Sequence, residues 1–228
     1  MTKSKLPLLS ILFFISITSL SQKLIHRNGH LEAGHYKALQ RELEEIFEED
    51  QFIRRKFIGK AEKLGFDHPT VDSLGKIMHL KDSVNVRKVT KILDEQGWMG
   101  IDKVGFTANQ TLFLVIQHAD LKTQEKYLPI MEVAVKNGNS SAGDLAKLED
   151  RVRLGQGKRQ IYGSQIGRYP HANRYYVLPL EDPDQVDTRR SKIGLEVIAN
   201  YVKSWGISWN VEEYKKELPS IEKLNSKR

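Results

Sequence analysis

The chain has 228 residues, with 36 Lys and Arg against 29 Asp and Glu, a formal charge of +7 and no cysteine. That length supports one well-buried core or two small domains. Disulfides, thiolate metal sites, cysteine nucleophiles and a lipid anchor on a cleavage-site cysteine are excluded, and a modest basic excess without Lys/Arg blocks interleaved with aromatics gives no footprint for nucleic acid.

Lys3 and Lys5 precede an almost wholly apolar run over 6–20, and Ser19-Leu20-Ser21 puts small residues at the first and third places. This is the pattern of a signal peptide over 1–21. The run is shorter than the ~18 to 20 apolar residues of a membrane-spanning helix, so cleavage after Ser21 is expected, with no integral span afterwards. An uncleaved N-terminal anchor is the rival reading. The expected location is exported, periplasmic or secreted. Residues 22–35 read as a flexible segment. Its His26 and His30 are four apart, a metal-compatible helical spacing, with His35 beyond. Asn28-Gly29 is expected to break a helix there, however, and no carboxylate motif completes a ligand set. No metal and no cofactor is expected.

A helical domain follows over 36–214. Leu39, Leu43, Ile46, Phe47, Ile53, Phe57, Ala61 and Leu64 fall at gaps of mostly three and four, which predicts an amphipathic helix over 38–64 ended by Gly65. Pro69 opens a second helix with Val71, Leu74, Ile77 and Met78 on one face, and Asn85 is read as the N-cap of a third that runs to Gly97. Gly97, Gly100 and Gly105 make a loop in which Trp98 reads as a core plug. From Thr107 to Ala119 the pattern is apolar on nearly every side, which predicts a central helix. Asp120 caps the next, with Pro129 kinking it or marking its true start. Ser141 and Asp144 stand at capping-box spacing before another.

After Leu154 glycines and tyrosines recur. The predicted fold is all-α, a single multi-helix domain with a small irregular or two-stranded element near 160–180, in which 160–166 pairs near 175–180. Asp182 or Pro183 opens a last helix through Tyr201, with Trp205 and Trp209 closing its end. The charged tail over 215–228 is expected to fray.

Polar groups recur where the periodicity predicts burial or a helix end. Asp50, Gln51 and Arg54 lie in the first helix, with Asp50 and Arg54 four apart on one face. Gln117, His118 and Asp120 end the central one. Asp150 and Arg151 come late in another helix, Gln160, Tyr162 and Gln165 lie in the glycine-rich stretch, and Asp187, Arg189 and Arg190 open the last helix.

The order QHAD (117–120), A-x-L-x-DR (146–151), Q-x-YG-[ST]-Q (160–165) and D-x-RR-x-x-x-GL (187–195) resembles an uncharacterised bacterial family, a domain of unknown function. Gly97-Trp98 and Asp50-Gln51-x-x-Arg54 are also similar to it. The resemblance covers most of the chain after the signal segment. It implies a mostly helical domain and brings no activity, substrate or cofactor with it.

The chemistry must therefore come from the residues. His118 suits proton transfer near neutral pH. Asp150, from another helix, is the candidate to orient it, and Tyr162 the candidate to donate a proton or hold a leaving oxygen. Arg151, Arg189 and Arg190 suit bidentate binding of a phosphate or carboxylate. Gln117, Asp120, Gln165, Asp50 and Arg54 are candidate ligand-binding residues. No serine elbow or P-loop is present. Two readings stand: a pocket for an anionic or polar envelope ligand, with hydrolysis or transfer as the chemistry, or a non-catalytic module whose polar network fixes helix packing. A glycan-binding protein requires Trp98, Trp205 or Tyr175 and Tyr176 at the surface.

Overall fold

The computed structural model describes residues 9–169 and 174–225, with side chains from residue 32 onward. It contains eight α-helices and one two-stranded sheet among the described residues, and is mostly all-α. No helix there is long and apolar enough to cross a membrane.

Helix α1 (Leu9–Leu64) buries Leu43, Ile46, Ile53 and Ala61 of its predicted face, leaves Leu64 exposed, and starts earlier than expected. It runs through the expected break at Asn28-Gly29 and through the segment read as flexible. Glycine weakens a helix without forbidding it, at about 1 kcal/mol relative to Ala. Helix α2 (Pro69–Gln96) opens on a cap in which His68 Nδ1 accepts from Thr70 N–H at 3.1 Å. The sequence reading divided α2 at Asn85, and this is corrected. Asn85 is buried inside one continuous helix, because residues 82–85 contain neither Gly nor Pro to stop it.

Helix α3 (Ile101–His118) is bent at Gly105, whose φ of 80° places it in the left-handed region. Its buried face includes Val104, Ala108, Leu112, Phe113, Val115 and Ile116, and it packs against α1, α2, α4 (Leu121–Lys136) and α5 (Ala142–Gly155). The predicted central position is therefore observed. Asn109 secures the loop before α3, donating from Nδ2 to Met99 O at 2.7 Å and Asn139 O at 2.8 Å. Asp120 caps α4 as read, accepting from Thr123 N–H at 2.8 Å, and Pro129 lies within that helix. Ser141 caps α5, but Asp144 does not close the box and accepts instead from Gln110 and Lys147. These five helices enclose the first apolar core.

The second core begins at the hairpin. Strand β1 (Ile166–Arg168) pairs antiparallel with β2 (Tyr175–Val177), and Gln160 bridges Leu180 beside them. The predicted last helix is broken. A 3-10 turn (Pro183–Gln185) leads into α6 (Val186–Lys192), Gly194 turns the chain at φ 73°, and α7 (Ile198–Lys203) follows. Over 215–225 the expected fraying tail is instead part of helix α8 (Val211–Asn225). Its Tyr214, Leu218 and Ile221 are buried at spacings of four and three, and each such side chain stabilises the fold by about 1.5–3 kcal/mol. The Tyr214 hydroxyl donates to Leu178 O at 3.0 Å and accepts from Leu180 N–H at 2.8 Å.

Candidate functional site

The polar residues singled out in the sequence form two groups. The first lies where α1, α2 and the end of α3 meet. Asp50, 2% exposed, accepts from the Arg54 guanidinium at 3.1 Å and from Gln51 Nε2 at 2.9 Å. Arg54 also reaches across to α2, where Asp82 Oδ1 lies 2.5 Å from its Nη2 and Met78 Sδ 3.3 Å from its Nη1. One turn of α1 sets Asp50 and Arg54 on the same face, and one turn of α2 does the same for Met78 and Asp82.

His118, the last residue of α3, points Nδ1 at this group, 3.4 Å from Asp50 Oδ1. The contact stops short of hydrogen-bond geometry, so Nδ1 is buried without a partner, as is Gln117 Oε1 next to it in sequence. The His118 side chain remains 20% exposed. With Nδ1 buried, that exposure belongs to the remainder of the side chain.

The carboxylates here are driven apart. Burial pushes the Asp50 carboxyl up, but His118 and Arg54 beside it more than offset this and hold it at about 2. Burial raises Asp82 above the ordinary carboxylate range, and the nearby Asp50 charge adds to that, against the pull of Arg54 and His118. One acid oxygen from each carboxylate and one ring nitrogen of His118 all lie within 4.8 Å of one another, a spacing a metal ion can bridge. The Arg54 guanidinium already bridges both carboxylates, so a cation there must displace it.

The second group braces the chain after α5. Asp150, fully buried, accepts from the backbone N–H groups of Ile161 at 2.6 Å, Tyr162 at 2.9 Å and Ser164 at 2.9 Å. Burial pushes its carboxyl up, and these amides pull it back only in part. The expected pairing of Asp150 with His118 is therefore corrected: the carboxylate beside His118 is Asp50, while both Asp150 oxygens serve the 161–164 turn. Gly163 in that turn has φ 69° and packs so closely on Ile198 that a Cβ would stand 2.6 Å from its Cδ1.

The expected anion clamp divides in the same way. Arg190, 1% exposed, donates to Glu196 O at 2.6 Å and Tyr162 O at 2.7 Å and stacks on Tyr201. Arg189 donates to Ile161 O, Glu181 O and Asp182 O. Both tie loops together. Gln160 Oε1 accepts from Gln165 N–H, and Gln165 Nε2 donates to Lys147 O at 3.1 Å. The Tyr162 phenol is half-buried and raised in pKa, first by desolvation and then by the charges of Glu149 and Asp150. Asp120 is the cap of α4, and Gln117 Nε2 reaches Lys147 O at 3.5 Å.

Arg151 belongs to neither brace. It is solvent-exposed and has no hydrogen bond or ion pair among the described residues, yet desolvation and the Arg54 charge lower its pKa. It lines a cavity of about 760 Å³ together with Leu121, Gln124, Lys158, Arg159 and Gln165. Gln124 connects this wall to the first group, donating from Nε2 to Gln117 O at 3.1 Å and Ala119 O at 2.8 Å.

Asp82 and Gln124 have no signal in the sequence, and Met78 reads there only as part of an apolar helix face. Asp82 is four residues from Met78, on the face opposite Asp50 and Arg54, but a helix boundary drawn at Asn85 made it look like linker. Of the rings a glycan reader would need, Trp98 and Tyr176 are buried. Tyr175, Trp205 and Trp209 are half-buried along a separate groove of about 400 Å³. His171 and the side chains of His26 and His30 lie outside the described residues.

Comparison with curated proteins and with solved structures finds no match. Residues 37–211, which contain both polar groups and the hairpin, match a family of unknown function, and the chain belongs to that family, DUF6624.

Proposed function

We propose that the His118–Asp50 pair is an acid–base centre in an exported protein that acts on an anionic or polar envelope ligand by hydrolysis or group transfer. The observation that carries this reading is the orphaned His118 Nδ1, 3.4 Å from an Asp50 carboxylate already held ionised. An ionised carboxylate beside Nδ1 favours the tautomer with its proton there and leaves Nε2 as the base. In hydrolysis His118 takes a proton from water as its oxygen bonds to the substrate, then returns it to the leaving group as that bond breaks. Loose contacts of this kind tighten when substrate is bound. Two neighbouring carboxyls displaced in opposite directions are a further mark of acid–base sites. Export rests on the Lys3/Lys5 start, the apolar run and the Ser19-Leu20-Ser21 site.

The test has two arms. Nitrogen-15 NMR of the imidazole should report the Nδ1–H tautomer in the wild type and a mixed population in Asp50→Asn. A screen with p-nitrophenyl esters of phosphate and of carboxylic acids should give turnover that falls at least a hundredfold in His118→Ala, within the range for loss of a general base. An Nε2–H tautomer, or turnover indifferent to His118, overturns the proposal.

A further inference from the structure

The side chains of Arg41, Arg87 and Arg151 have no hydrogen bond or ion pair among the described residues, and of these only Arg151 lines the cavity described above. Arg54, Arg153, Arg159 and Arg174 each reach a carboxylate, and Arg189 and Arg190 reach backbone carbonyls. Arg151 has no such partner among the described residues and has lost hydration while keeping an open surface. Those two properties coexist in the wall of a concavity, where protein surrounds a group that solvent still reaches. The other charges on that wall are Lys158, Arg159 and Glu222; Arg159 is neutralised by Glu222, and Lys158 donates only to the neutral Gln156 Oε1. The unmatched charge of the wall is thus positive, contributed by Arg151 and Lys158.

The wall is also fixed in place. Arg151 follows Asp150, whose three backbone bonds lock this turn of α5 to residues 161–164. Gln124 and Gln165 are held by the carbonyls of Gln117, Ala119 and Lys147. A volume of about 760 Å³ exceeds what a lone ion fills and falls within the range of small-molecule sites.

We propose that this cavity is a binding site for a small anionic molecule, with Arg151 gripping its phosphate or carboxylate group in bidentate fashion. The planar fork of a guanidinium matches either oxyanion, and an anion there screens Arg151 from Arg54. This deepens the acid–base reading of His118 and rests on it for the reaction, though the binding stands by itself: His118 does not line the cavity, and Gln124 links the cavity wall to the end of α3 through the carbonyls of Gln117 and Ala119.

The test is titration of the purified protein with inorganic phosphate and, separately, with acetate, at ionic strength matched with sodium chloride and followed by the Arg Nε–Hε signals. The expected result is a saturable shift of the Arg151 signal with one or both anions, beyond that with chloride, the stronger one naming the group preferred. Arg151→Ala should weaken that binding tenfold or more. Arg151 makes no bond among the described residues, so this variant should melt with the wild type and stay interpretable. No shift beyond chloride, or equal affinity in Arg151→Ala, overturns the site. Binding that needs Arg151 alongside turnover indifferent to His118 keeps the site and removes the acid–base reading.

Discussion

The two polar groups are built from similar residues and differ in what satisfies them. Around Asp150, side chains answer backbone: three amides for the carboxylate, carbonyls for Arg189 and Arg190, and an exchange between Gln160 and Gln165. Around Asp50, side chains answer side chains, and two buried atoms, His118 Nδ1 and Gln117 Oε1, are left without partners. Burial alone therefore does not separate scaffold from site. The first pattern shapes a loop whose amides would otherwise be stranded. The second leaves unmet bonding capacity, which costs stability unless a ligand or a reaction uses it.

The largest effect expected from this contrast is on Asp150. Replacing it with Ala leaves buried amides unpaired at ~1–3 kcal/mol apiece, about 4 kcal/mol in total, which lowers the melting midpoint by about 10 °C. A fall below ~1 kcal/mol would break the distinction between the two groups.

Asp50 should show itself through pH. Its folded pKa of about 2 lies below the ordinary 3.8, so it contributes stability that is fully present above pH ~4 and lost as pH falls through ~2. The shift corresponds to about 2 kcal/mol. Urea unfolding at pH 5 and pH 2.5 should show a stability gap between wild type and Asp50→Asn that narrows by most of this amount at the lower pH. A constant gap removes the ionised Asp50 from the account.

A smaller effect sharpens the role of the C-terminal helix. Tyr214→Phe removes the hydroxyl shared by Leu178 and Leu180 and should cost about 1–2 kcal/mol in thermal or urea unfolding. His118→Ala should cost about 1 kcal/mol, because Asp50 loses one of the two groups that hold it ionised but keeps Arg54. A loss of 3 kcal/mol would move His118 into the scaffold.

Much of this was legible in the chain where periodicity is strong. The α1 face from Leu39 to Ala61, the central α3, the Asp120 and Ser141 caps and a small two-stranded element within 160–180 all follow from spacing and cap chemistry, although the first strand begins at Ile166 rather than Gln160. The misreadings share one cause, local cues outweighed by context. Asn85 looks like a cap but lies inside α2, and Lys215, Lys216 and Glu217 look like a fraying tail but ride on a helix anchored by Tyr214, Leu218 and Ile221. The site was half legible: Asp50, Arg54, His118 and Arg151 were all named. Their grouping was not, because Asp50 and His118 are far apart in sequence while Asp150, with an equally good residue type, turns inward to a loop. Only packing chooses between two aspartates.

The C-terminal helix also bears on the order in which the molecule becomes competent during synthesis. Asp50, Arg54, Asp82 and His118 have all emerged once α3 is made, and they contact one another through helices adjacent in the chain. The cavity beside Arg151 draws on Glu222 and Asn225 near the end of translation, and the second core requires α8 to return to β2 and to Leu178 and Leu180. Segments close in sequence assemble sooner than distant ones. A nascent chain should thus form the Asp50–His118 contact before the walls of the Arg151 cavity are complete, and a product cut short by a few residues at the C-terminus should lose the proposed anion binding while its N-terminal helices still fold.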